Sequence, residues 1–84
     1  MGRSLLRDEE GGVFQFPGGA REAAFRAAEL IREQLALEIS VFRRRDPETG
    51  ERVWALEFFT PGRELADPEI KVALETCRLA SHSG

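Results

Sequence analysis

The sequence predicts a two-layer α+β sandwich in the element order β-α-β-β-α, and three observations carry that expectation. Alanine, isoleucine and leucine recur at helical spacing through residues 20–37. Residues 39–59 form two alternating apolar runs about Pro47-Glu48-Thr49-Gly50, the pattern of a hairpin. A second helical stripe follows Asp67-Pro68-Glu69.

Taken in chain order, residues 1–12 are mixed in charge, end in Gly11-Gly12 and lack periodicity, so they read as a flexible N-terminal arm outside a single domain spanning 13–80. Val13-Phe14-Gln15-Phe16 is a short first strand stopped by Pro17-Gly18-Gly19. In the first helix Ala24, Ala27, Ala28, Ile31 and Leu35 share one face, and the small alanines let the backbone lie close to a sheet.

The hairpin's register follows from its turn. Pro47 presets φ for the first turn position, Gly50 accepts the left-handed conformation at the last, and Asp46 can hydrogen-bond the turn's own backbone. Counting outward pairs Arg45 with Arg52, Arg43 with Trp54, Val41 with Leu56 and Ile39 with Phe58. One face then collects Ile39, Val41, Trp54, Leu56 and Phe58 as the core side. The other carries Ser40, Phe42, Arg44, Val53, Ala55, Glu57 and Phe59, half polar and half apolar.

Asp67 suits a helix N-cap with Pro68 at the first helical position, and Ile70, Ala73, Leu74, Cys77 and Ala80 form the second apolar stripe. Residues 81–84 read as a frayed end. Short connections favour a three-stranded, antiparallel-type sheet in the order 1-3-2 with both helices on one face. That arrangement resembles a ferredoxin-like fold lacking its last strand. Such folds host many activities, so the likeness implies none.

At 84 residues the chain supports one core near the size where burial only just outweighs conformational entropy, and self-association is an easy route to further stability. No run approaches the roughly 18 apolar residues of a membrane span, and the opening Met-Gly-Arg-Ser lacks the apolar core of a secretory signal. A lone cysteine, Cys77, agrees with a reducing compartment, and the expected location is cytoplasmic. The formal charge of −3 gives no global attraction for nucleic acid or anionic membrane. Asparagine and tyrosine are absent and Lys71 is the only lysine, which suits a thermophilic bacterium, although GC-rich coding gives the same bias.

The chemistry-bearing residues are few. His82 stands near the end, Cys77 lies on an apolar stripe, and no Cys/His spacing fits zinc, so no catalytic residue, metal site or cofactor is expected. Gly18-Gly19 before a helix is too nonspecific to signify a phosphate cradle. Arg43, Arg44, Arg45 and Arg52 gather at the hairpin tip, with Arg45 opposite Arg52 as a like-charge pair. Either they meet Glu48, Glu51 or helix acids, with Arg43 stacked on Trp54, or they hold an anion.

Phe42, Val53 and Phe59 on the second sheet face are lone exposed apolar residues, or pack on the arm through Leu5 and Leu6, or form a partner's contact surface. Stacking of the two phenylalanines on bases is disfavoured by Glu57 on the same face. The leading expectation is a non-catalytic protein-binding module, most simply a homodimer. The alternative is a module binding single-stranded nucleic acid or another anion through the arginine tip.

Overall fold

The computed structural model describes residues 2–82. Its elements are β1 (Arg3–Leu5), β2 (Phe16–Pro17), α1 (Arg21–Leu35), β3 (Glu38–Arg45), β4 (Arg52–Phe59) and α2 (Asp67–His82). The hairpin forms as its turn chemistry dictates. Asp46 N–H donates to Glu51 O and Gly50 N–H to Asp46 O, both at 2.8 Å, and the Asp46 carboxylate accepts the Glu48 N–H. Gly50 takes φ +75°, the left-handed conformation a side chain resists. The antiparallel pairs are those read from the turn, from Arg45 opposite Arg52 to Ile39 opposite Phe58.

The expected core face is the one the helices cover. Ile39, Trp54, Leu56 and Phe58 are buried with Ala24, Ala27, Ala28 and Ile31 of α1 and Ala73, Leu74, Cys77 and Ala80 of α2, and Val41 packs against them half-buried. The alanine stripe of α1 does what its size allows, bringing the helix close to both α2 and the hairpin. Ala36 then turns left-handed, its N–H returning to Arg32 O, which ends the helix two residues short of β3.

The N-terminal segment departs from expectation. Residues 3–6 are not a loose arm: β1 pairs antiparallel with β4, setting Arg3 opposite Phe59 and Leu5 opposite Glu57, and Leu6 N–H donates to Leu56 O. Leu6 is wholly buried in the core. The chain then leaves the sheet over residues 7–13, where the Asp8 carboxylate accepts the Glu10 and Gly12 N–H groups and Gly11 takes φ +89°. It returns through Phe14 N–H to Leu6 O, and β2 places Phe16 opposite Trp54 and Pro17 opposite Val53. The first strand is thus one edge strand broken in two, with residues 3–5 as its unexpected half. The sheet has four strands rather than three and its order differs slightly from the expected 1-3-2: β4 is central, β1 and β2 pair with it as two pieces of the first strand, and β3 pairs with its other edge.

The second helix begins one residue earlier than its sequence suggests. Ala66 O accepts the Ile70 N–H, making Ala66 the N-cap, while the Glu69 carboxylate accepts the Ala66 N–H as in half a capping box. Asp67 and Pro68 occupy the first turn. Ser81 and His82, expected to fray, continue the helix, and residues 83–84 of the expected frayed end lie outside the described residues.

Two ion pairs tie these segments down. Glu9, in the excursion between β1 and β2, accepts two bonds from Arg78 of α2 at 2.5 and 2.9 Å, and Glu69 accepts two from Arg63 at 2.7 and 2.9 Å. The facing guanidiniums hold both carboxyls at about 2, against the usual 4.5. A lowered folded-state pKa contributes stability above the unfolded value that is lost as pH falls through the folded one. Urea midpoints are therefore expected to fall between about pH 4.5 and pH 2, and Glu9→Gln to flatten that slope; an unchanged slope would show the Glu9 pair to be idle.

Candidate functional site

The chain's unsatisfied chemistry lies along β3. The hydrogen-bonded ring closing the turn at Asp46 and Glu51 sets the phase of the antiparallel ladder. Even-numbered residues of β3 bond to β4, and the N–H and C=O groups of Ile39, Val41, Arg43 and Arg45 point to the outer edge. The Arg32 guanidinium covers one of them, donating to Ile39 O at 3.0 Å. Nothing else among the described residues pairs with this edge. The opposite side of the sheet is broken by the 7–13 excursion and ends at Pro17, which has no N–H to offer, whereas β3 runs eight residues without proline or bulge.

Among the described residues, both helices pack on the core side, and no helix lies over the other face of the sheet. Of the residues expected to offer a contact there, Val53 is 7 % exposed and has little area left, because Arg44 and Pro17 stand directly opposite it on either flank. Ala55 is likewise buried, opposite Phe42. Phe42 is half-buried and Phe59 is 42 % exposed. The N-terminal segment contributes Leu5 at the side of this face rather than a cover across it, and Arg3 pairs with Glu57 at 3.3 Å. At the Glu38 end of β3, a depression of about 430 Å³ is lined by Arg3, Glu38, Ser40, Glu57 and Phe59, among others.

The structure brings all four expected arginines together. Arg43, Arg44, Arg45 and Arg52 line a recess of about 220 Å³ at the hairpin tip. Arg43 stacks on Trp54, 5.1 Å from the ring centre, and Arg45 donates to Gly50 O at 2.6 Å. None of the four forms an ion pair among the described residues; Glu48 and Glu51 do not reach them. The like-charge pair Arg45 and Arg52 therefore has no counter-ion among the described residues.

The recess continues beyond what hairpin register foretells. Trp54 also meets Phe25 of α1 edge-to-face at 5.9 Å, and Arg21 stacks on Phe25 at 4.7 Å, so cation, ring, ring and cation form a row from Arg21 to Arg43. Phe25 stays 39 % exposed, which the helical stripe alone does not foretell. Glu38 stands at the opposite end of β3 from the recess, and the signal for it, an acid at one end of a strand and three arginines at the other, is visible in the sequence.

The remaining groups have structural roles. Gly18 is needed for close approach, since a Cβ there would lie 2.6 Å from Arg52 O; its own carbonyl accepts the Trp54 indole N–H at 3.0 Å. Burial pushes the Cys77 thiol up to about 12, so it stays protonated inside the core. Among the described residues, no group of three His, Cys, Asp or Glu side chains is placed to hold a metal ion, and no helix is long and apolar enough to cross a membrane.

Fold and surface together define a small α+β domain with one long open sheet edge and, beside it, an arginine recess that has no ion pair among the described residues. Comparison with protein-family models, curated proteins and solved structures finds no match.

Proposed function

We propose that this chain is a small non-catalytic binding module that takes a protein partner, a second copy of itself, on the β3 side of its sheet. The observation that carries this reading is the continuous outer edge of β3, with open backbone groups at Val41, Arg43 and Arg45 beside the half-buried Phe42. Unpaired edge groups are a template for strand addition, and an apolar side chain flanking them adds area to the contact. Light scattering across a dilution series is expected to show monomer passing to dimer at micromolar concentration, since one edge strand buries less than a standard interface. Phe42→Glu shifts that transition to higher concentration. A constant monomer mass that the substitution leaves unchanged overturns the reading.

The arginine recess supports a second reading, binding of a single-stranded nucleic acid through its phosphates, because Arg43, Arg44, Arg45 and Arg52 have no ion-pair partner among the described residues and the Arg21–Phe25–Trp54–Arg43 row adjoins them. It predicts that a labelled oligonucleotide added to the same dilution series at low salt is retained, and released when the four arginines become alanine. No retention at low salt removes it.

A further inference from the structure

Both ends of β3 carry charge that is unmatched among the described residues, and the two ends are opposite in sign. At the start stands the exposed Glu38; at the close stand Arg43, Arg44 and Arg45, with no ion pair to any of the four among the described residues. On the uncovered sheet face the side chains run Glu38, Ser40, Phe42, Arg44.

Resting on the self-association proposed above, we infer that two copies join β3 to β3 antiparallel, with the twofold axis at Val41, so that the counter-ion of each Arg44 is the partner's Glu38. Three constraints select this register. The open backbone groups belong to odd-numbered residues, so odd must face odd for bonds to form. Parallel, in-register pairing would stack the arginine run on itself, which like charges oppose. Moving the axis by one residue sets Glu38 opposite either Phe42 or Asp46 of the other copy, and both lose the charge match.

With the axis at Val41, the N–H and C=O of Val41 bond those of the partner's Val41, and Ile39 exchanges bonds with the partner's Arg43. Ile39 O already accepts from Arg32, and a carbonyl has a second lone pair for the new donor. On the uncovered face Glu38 meets the partner's Arg44 and Ser40 meets the partner's Phe42. The two Phe42 rings become diagonal neighbours, within reach of each other across the axis. Arg45 falls beside the partner's Leu37, next to the C-terminal end of α1, where the helix's partial negative charge favours a cation. The depression holding Glu38 on one copy thereby adjoins the arginine recess of the other.

The test is charge reversal with rescue. Glu38→Arg and Arg44→Glu alone each place like charges in apposition and are expected to weaken the dimer at least tenfold in sedimentation equilibrium, while the double variant restores wild-type association. Glu38 is exposed and Arg44 half-buried outside the core, so circular dichroism is expected to stay unchanged. Disulfide formation reads the register directly, because Cys77 is buried and stays out of the reaction. Ser40→Cys mixed with Phe42→Cys is expected to give a covalent heterodimer, and neither alone a homodimer. Self-linking of Ser40→Cys or of Phe42→Cys would move the axis to that residue and overturn the register, as would a dimer indifferent to all the charge changes. A wild-type monomer at every concentration would instead remove the self-association itself.

Discussion

Leu6→Ala is expected to lower the unfolding free energy by about 2–5 kcal/mol, a large share of what a domain of this size holds. Leu6 has no exposed surface, its backbone is bonded to Leu56, and its side chain sits in the same core as Phe16 and Phe58. Removing it leaves a cavity beneath helices too firmly packed to collapse fully into it. Its neighbour Leu5 points to the uncovered face and is half-buried, so Leu5→Ala is expected to cost under about 1 kcal/mol. Urea unfolding of the two variants checks this: a lowered midpoint at constant slope for Leu6→Ala against a nearly unmoved one for Leu5→Ala. Equal small effects would mean that residues 3–6 do not belong to the sheet.

Trp54→Ala is expected to cost about 3–5 kcal/mol. The indole fills the core face of the central strand, meets Phe25 edge-on, underlies Arg43 and donates to the Gly18 carbonyl. Alanine removes the packing and strands that carbonyl in a turn that Gly18 holds against the Arg52 backbone. Trp54→Phe separates the contributions, since a phenyl ring keeps most of the packing while the lost hydrogen bond costs about 1–3 kcal/mol. Because Trp54 is the only tryptophan, the variants are followed by circular dichroism rather than fluorescence. If Trp54→Phe is as damaging as Trp54→Ala, the indole N–H outweighs the ring.

Much of the fold was legible in the sequence because its signals are local. The Asp46-Pro47-Glu48-Thr49-Gly50 turn sets hairpin register through backbone conformations that a few adjacent residues dictate, and the two-residue period then assigns every side chain to a face. Helical stripes are legible for the same reason, over enough residues for a period to show. The split first strand was not. Residues 3–5 and 16–17 are too short to display alternation, and they become strands only because the exposed edge of β4 offers them partners more than thirty-five residues away. The α2 cap moved by one residue because Glu69, held by Arg63 six residues before it, bonds the Ala66 N–H, a side-chain contact that the Asp67-Pro68 signature does not record.

The candidate site divides along the same line. That Arg43, Arg44, Arg45 and Arg52 would meet followed from hairpin register, and they do line one recess. That they would find no counter-ion among the described residues did not follow, because Glu48 and Glu51 stand near them in sequence without reaching them in space. Val53, grouped with Phe42 and Phe59 as a contact residue, is already covered by the strands on either side of it.

By itself the sequence determined the hairpin, its register, its two faces and the helices that cover one of them, since turn dihedrals and side-chain periods are properties of neighbouring residues. Only the tertiary structure decided that the N-terminal segment closes one side of β4 and leaves β3 as the open edge. That choice depends on non-local pairing, whose hydrogen bonds and buried leucine outweigh the entropy of ordering the chain, and no local pattern records it.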